Sequence, residues 1–288
     1  MRSDNKILLI ENNLGTINKT NIDNIYKKAD INTTTDILKN YINLYDYIRQ
    51  NINRYTLIID HLEKAFIENL NRIYQNIDHH NIFIGGDHST AIATISKIYK
   101  PGLKIIWIDA HPDINTYNES ISKNYHGMPL AYLSGIDSFF KDPHLNCNIP
   151  LHDIMYIGIR SIDYYERKII EENNISWISC DEINNQNCLE TYMKNYKDRI
   201  EEFIGESPIH ISFDVDCLDP LDMPCTGTTE NNGIYKSRMK EILDYLLRFN
   251  INSLDIVELN LGLGDKIQQE KSLATLFEIF ENYKIFNK

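Results

Sequence analysis

The 288-residue sequence has no apolar run near the length that spans a bilayer, and its start, MRSDNKILLIENN, holds too short an apolar core for an export signal. No membrane association is expected, and a cytoplasmic setting is. Positive charge is scarce: 29 Lys and Arg against 41 Asp and Glu leave a formal net charge of -12, with a sequence pI near 5.2. Such a surface repels nucleic acid and anionic membranes and is compatible with a cationic ligand. Cysteine is sparse and unpatterned. Cys147, Cys180, Cys188, Cys217 and Cys225 are odd in number and show no CxxC spacing, so free thiols in a reducing compartment are expected. Internal repeats, low-complexity tracts and linkers are also absent. With 42% hydrophobic and 24% charged residues the composition is that of a globular protein, and one domain over residues 1–288 is the economical reading.

The patterned part begins late. Residues 6–10 suggest a strand, and an Asn- and Thr-rich stretch without periodicity follows to residue 55. Asp60 and Glu63 then have capping-box spacing, and Leu62, Phe66, Leu70, Ile73 and Ile77 recur at helical intervals. Strands are predicted at 81–84, 105–108, 154–159, 175–178, 209–215 and 254–257, with helices between most of them, including 164–172 and 183–203. This alternation predicts an α/β fold: a mainly parallel sheet covered by helices on both faces, in three layers α/β/α.

The chemistry concentrates where strands end. In KIIWIDAHPD (104–113), a buried apolar run stops in Asp109, His111 and Asp113, spaced at every second position. In an extended chain these three side chains point the same way, and Pro112 biases His111 towards that conformation. Strand alternation likewise puts Ser212, Asp214 and Asp216 on one side of SFDVDCLDP (212–220). The glycine pair of GGDHS (85–89) turns the chain sharply after a strand and sets His88 at the same end of the sheet. Singly, each stretch also fits a structural corner, a solvated strand end or an acidic turn. Jointly they bring four aspartates and two histidines to one rim, where desolvated charge needs a cation. That donor set suits Mn²⁺, with Co²⁺, Ni²⁺, Fe²⁺ or Zn²⁺ as competitors, and six ligands suggest two ions.

These stretches, with HGMP at 126–129 and Glu258 in VELN, resemble the motifs of the ureohydrolases, the arginase and agmatinase superfamily. They come in the family's order and cover about residues 80–262. The resemblance implies an arginase-like domain with a binuclear manganese site. His88, Asp109, Asp113 and Asp216 would hold one ion or bridge, and His111 and Asp214 would complete the other. It is closest to arginase in the loop after the first cluster, where Asn115, Ser122 and Asn124, with Ser120 nearby, stand at the positions that hold a substrate α-carboxylate. Asp163 and Glu166 would receive the α-ammonium, although Asp163 equally fits a helix cap. Glu258 and Thr228 would meet a small cationic guanidino substrate, which the charge balance favours. Two divalent ions and four aspartates cancel, and a bridging hydroxide and Glu258 leave the site anionic.

The implied reaction is hydrolysis of L-arginine to L-ornithine and urea by a metal-bridging hydroxide. Asp113 would pass its proton to the departing amine, and His126 would shuttle protons to solvent. A homo-oligomer, trimer or hexamer, comes with the resemblance. The sequence departs from the family in residues 1–80, in Leu261 for proline, in Ser161 for an acid and in Lys123 for glycine. Agmatinase, guanidinobutyrase or formiminoglutamase activity, and a non-catalytic scaffold that senses arginine or binds a partner, are the alternatives. His61, His79, His80, His144, His152 and His210 fit no motif.

Overall fold

Among the described residues eight strands, every neighbouring pair parallel, form one sheet. The structure is a computed structural model that describes residues 7–11, 55–59, 66–77, 81–138, 142–145, 147–184, 189–283 and 285. In chain order the elements are β1 (Ile7–Glu11), β2 (Tyr55–Ile59), α1 (Phe66–Asn76), β3 (Ile82–Ile84), α2 (Ala91–Ile98), β4 (Lys104–Ile108), α3 (Pro129–Leu133) and β5 (Ile154–Ile157). There follow α4 (Tyr164–Glu172), β6 (Ser176–Ile178), α5 (Cys180–Asn184), α6 (Leu189–Ile204), β7 (Ile209–Asp214), α7 (Lys236–Leu246), β8 (Ile251–Val257) and α8 (Lys266–Ile279). The spatial order is β2-β1-β3-β8-β7-β4-β5-β6. Among the described residues no helix is long and apolar enough to cross a membrane.

Parallel strands buried on both faces need apolar side chains at every position, and β4 shows this. Ile106 and Ile108 pack into a core shared with α6, α7 and α8, whereas Ile105 and Trp107 pack on the opposite face with residues of α2, α3 and α4. The expected three layers follow directly. The sheet order also decides where chemistry collects. β3, β8, β7 and β4 are consecutive neighbours, so the residues just beyond their carboxyl ends share one rim, as ligand sites in open α/β sheets do.

Several expected elements change. β2 carried no signal that was read from the sequence, and it pairs with β1 at one edge of the sheet. Asp60, Leu62 and Glu63 lie outside the described residues, and the described helix begins at Phe66. The helix expected at 183–203 is two, α5 and α6. The strand expected at 209–215 stops at Asp214, because residues Val215–Cys217 form a 3-10 turn.

The turn after β3 depends on glycine. Gly85 has φ +102 and Gly86 φ +83, and a Cβ on Gly85 would lie 2.1 Å from the carbonyl oxygen of Ile10 in β1. Gly85 N–H donates to Ile256 O at 2.8 Å, which fixes the turn against β8. Gly85→Ala is therefore expected to destabilise the fold by about 3 kcal/mol or more. Urea denaturation checks this, and an unchanged midpoint would mean that β1 moves aside freely.

Candidate metal centre

His88 is aimed inward by its own turn. Asp87 accepts the Ser89 N–H at 3.0 Å, which caps the short helical turn His88–Thr90. The His88 ring, 1% exposed, stacks on Trp107 with centroids 3.9 Å apart and planes at 6°. Its Nε2 is hydrogen-bonded to Ser212 Oγ at 2.9 Å. Trp107 and Ser212 are register partners on β4 and β7, so one cross-strand pair holds both the face and the far edge of the imidazole. Nδ1 then faces Asp109 Oδ2 at 2.9 Å, Asp113 Oδ2 at 3.2 Å and Asp214 Oδ2 at 3.2 Å. It is buried and makes no properly directed hydrogen bond with any of them.

The acids converge through hydrogen-bonded turns and not, as alternation predicts, through extended chain. Asp109 Oδ1 accepts His111 N–H at 2.7 Å, and Asp109 Oδ2 accepts Trp107 Nε1–H at 3.0 Å. Asp113 sits at φ 49, in the left-handed region. Asp214 Oδ1 accepts Asp216 N–H at 2.8 Å. Asp216 Oδ1 accepts Ala110 N–H at 3.1 Å, which ties the two loops together. His111 Nδ1 lies 3.0 Å from Asp216 Oδ2 and 3.4 Å from Asp109 Oδ1. Two ligand groups result, His88–Asp109–Asp113 and Asp109–His111–Asp216, each with ligand atoms within 4.8 Å of one another. Asp109 belongs to both. Asp214 sits with His88 and Asp216 with His111, the reverse of the partition expected from the motifs.

Burial pushes Asp113, Asp214 and Asp216 above the usual carboxylate range, Asp216 to about 7, and the charge of neighbouring aspartates adds to the effect. Burial works in the same direction on Asp109, but the His111 and His88 imidazoles beside it outweigh it and hold this carboxyl below its ordinary value. For His88 and His111 burial favours the neutral ring, yet the facing aspartates raise both well above an ordinary imidazole. Without metal, the cluster would neutralise itself with protons. An inward-facing Nδ1 with three carboxylate oxygens around it, and a second such group sharing Asp109, fit a pair of divalent ions.

A cavity of about 160 Å³ opens over the cluster, lined by His88, His111, Asp113, Asn115, Ser120, Ser122, His126, Gly127, Ser161, Asp163, Glu166, Asp214, Asp216, Thr228 and Glu258. Of the expected site residues, Asp109 lies beneath this wall and Asn124 lies off it. Asn124 contributes its N–H to Ser122 Oγ at 3.3 Å. Glu258, at φ 64, accepts His88 N–H through Oε1 at 2.8 Å, and the same oxygen lies 3.2 Å from His126 Nδ1. Burial lowers His126, but Glu258 raises it further, to about 9. Asn115 Nδ2 donates to Asp163 Oδ2 at 2.9 Å. The capping role suspected for Asp163 is shared with Glu166, whose two oxygens accept the N–H groups of Ile114 at 3.3 Å and Asp163 at 2.9 Å. Burial raises Glu166 to about 8.

The family model described as "Arginase family" matches residues 11–277. The chain belongs to the arginase family. An arginase of Entamoeba histolytica is 30% identical over 264 residues, 83% of this chain and 88% of that one. An arginase of Glaciozyma antarctica is 37% identical over 191 residues, which span 64% of this chain and 55% of the relative. A crystal structure of the Entamoeba enzyme in complex with L-ornithine superposes with a TM-score of 0.73 at 25% identity, covering 97% of this chain and 99% of that one.

This arginase-family site also uses residues that the motif reading left without a role. Trp107 and Ser212 orient His88, as described. The Arg160 guanidinium donates to the carbonyls of Asp216 at 2.8 Å, Cys217 at 3.2 Å, Glu230 at 2.8 Å and Asn231 at 3.1 Å, stapling the second acidic turn to the following loop. Ser161 Oγ donates to Glu230 Oε1 at 3.0 Å, and that oxygen lies 3.7 Å from His111 Nε2. Position 161, where the family resemblance expects an acid, thus has a carboxylate delivered to it from residue 230. No local spacing announces such pairs, since each depends on the sheet order. His61, His79 and His80 lie outside the described residues. His210 is buried on β7 against Ser253 at 2.9 Å and Asp255 at 3.4 Å, and it is not among the residues that line the cavity.

Arg160→Met strands several partly buried carbonyls at once. It is expected to lower the stability of the metal-free protein by roughly 3 kcal/mol. Urea denaturation in chelator measures this, and a loss below about 1 kcal/mol would show that water substitutes for the guanidinium.

Proposed function

We propose that this chain is a binuclear, manganese-dependent hydrolase of the cytoplasm that converts L-arginine and water to L-ornithine and urea. The observation that carries this reading is the pairing of a six-ligand cluster with a wall of uncharged donors above it. His88, Asp113 and Asp214 with Asp109 would hold one ion, and His111 and Asp216 with Asp109 the other. When bound, the ions would lower the pKa of water held between them, so that hydroxide is available near neutral pH.

The remaining steps fall to the chain's own side chains. Asp113, on the cavity wall, accepts a proton during attack on the guanidinium carbon and delivers it to the departing amine. His126, half-buried between Glu258 and solvent, exchanges protons with the outside. Glu258 pairs with the guanidinium through Oε2, which points towards Gly227, because Oε1 already accepts the His88 N–H. Thr228 adds a hydroxyl at the same end.

Recognition of the other end separates arginine from agmatine. Ser120 Oγ accepts Lys123 N–H at 3.1 Å and Ser122 Oγ accepts Asn124 N–H at 3.3 Å. A hydroxyl that accepts from backbone can also donate, which suits a carboxylate. Asn115 and the exposed Asp163 stand beside them for the ammonium. Asn124 acts through Ser122, and Glu166 through its hold on Asp163. The same reading includes one catalytic unit over the chain and a homo-oligomeric assembly. Among the described residues Cys147, Cys180, Cys217 and Cys225 are free thiols, in keeping with a reducing compartment.

After incubation with Mn²⁺, L-arginine is expected to release urea, and Asp113→Asn to abolish release by at least about 10²-fold. Turnover of agmatine in place of arginine would overturn the role given to the serine loop. Urea from neither, despite bound metal, would favour a non-catalytic scaffold.

Metal uptake should also be pH-dependent. Groups held above their ordinary values keep protons that the ions must displace, so Mn²⁺ affinity should rise with pH through about 7, where Asp216 titrates, and fall below it. Calorimetry at pH 6 in buffers of different ionisation enthalpy should reveal net proton release. Its absence would contradict the assignment of these aspartates as ligands.

A further inference from the structure

The loop that presents Ser120 and Ser122 contains a residue whose backbone and side chain pull in different directions. Lys123 sits at φ 60, in the left-handed region where a side chain is strained and glycine is not. The family resemblance places glycine at this position. A lysine held there needs compensating contacts, and it has them. Its ammonium donates to the carbonyls of Tyr117 and Asn118, the latter at 3.0 Å, and lies 5.2 Å from the centre of the Tyr117 ring. Its own N–H donates to Ser120 Oγ at 3.1 Å. The far end of the loop is fixed independently, by Tyr117 N–H donating to Asp137 Oδ2 at 2.6 Å and by Ser120 N–H donating to Thr116 O at 2.9 Å.

Lys123 is absent from the residues that line the cavity. Its charge neither meets a ligand there nor closes the mouth, because it is directed at carbonyls of its own loop. The ammonium closes the loop from 117 to 123 into a ring, and the two hydroxyls, 3.4 Å apart, are carried on that ring. We propose that Lys123 is a positioning residue that sets affinity for the carboxylate end of the substrate by clamping this loop. The inference rests on the arginine reading above. Ordering the donors before the ligand arrives removes part of the entropy that binding otherwise costs.

The test compares Lys123→Gly, Lys123→Met and Lys123→Arg in the manganese-loaded full chain, with L-arginine as substrate. Glycine relieves the backbone strain but removes the clamp. Its thermal midpoint should therefore equal or exceed that of the parent, while KM for arginine rises about 5- to 10-fold and kcat stays within about two-fold. Methionine keeps the stem and loses the charge, and should raise KM similarly. Arginine at 123 keeps donors and charge, and should restore KM to within about two-fold of the parent. Unchanged KM in the glycine and methionine variants, or a fall in kcat at constant KM, would overturn the clamp while leaving the arginine reading intact. If the parent chain releases no urea from arginine, both fall together.

Discussion

Everything at the carboxyl rim of the sheet answers to one electrostatic constraint. Asp109, Asp113, Asp214 and Asp216 are withdrawn from water within a few ångströms of one another. Desolvated like charges at such distances are tolerated only when positive charge is brought among them. The two imidazoles cannot supply enough of it alone, and protons on the acids are the metal-free remedy. Divalent ions would satisfy the same demand more completely, and His88 Nδ1 faces inward where it could help hold one. The fold makes this unstable grouping unavoidable by placing β3, β8, β7 and β4 side by side, so that their outgoing chains meet before they diverge into helices.

Holding the group together requires backbone conformations that sequence alone would not favour. Asp113 and Glu258 are both non-glycine residues with positive φ. Each is fixed by hydrogen bonds on the same peptide: Leu130 N–H donates to Asp113 O at 2.9 Å, and Glu258 N–H donates to Gly86 O at 2.9 Å. Strain of this kind persists where the surroundings over-determine the conformation, and it collects at functional sites. Here it turns a carboxylate back towards the cluster at the point where an extended chain would carry it into solvent.

Much of this was legible in the sequence because burial and chemistry coincide in short stretches. An unbroken apolar run ending in acids marks a buried strand and its functional end at once, and β4 and β7 were read in this way. What failed was geometry that depends on a partner. Extended alternation predicted the convergence of Asp109, His111 and Asp113, but side-chain acceptance of the His111 and Asp216 N–H groups bends both segments, and Asp214 lies beside His88 and Asp216 beside His111. The contacts of Arg160 and Ser161 with the second acidic turn and with Glu230 and Asn231 span 56 to 71 residues of chain, on elements that only the sheet order makes adjacent. The contacts of Lys123 were not legible, because a sequence shows which charge is present and not which carbonyls lie within its reach.

The division of labour between sheet and loops follows from the same physics. A misplacement among buried charges is costly, so the clustered acids and imidazoles sit on strand ends and on turns closed by their own carboxylates. The groups that face the far end of the cavity carry less charge and lie on a loop. On the proposed arginine reading, a second cation placed there to receive a carboxylate would draw on the same acids and repel an incoming guanidinium. Serine hydroxyls avoid that conflict, since they add donors without adding charge. The cost is geometric, because neutral hydrogen bonds depend on direction more than a point charge does. A loop closed on itself meets that requirement, and it does so with the lysine's charge spent on carbonyls outside the cavity.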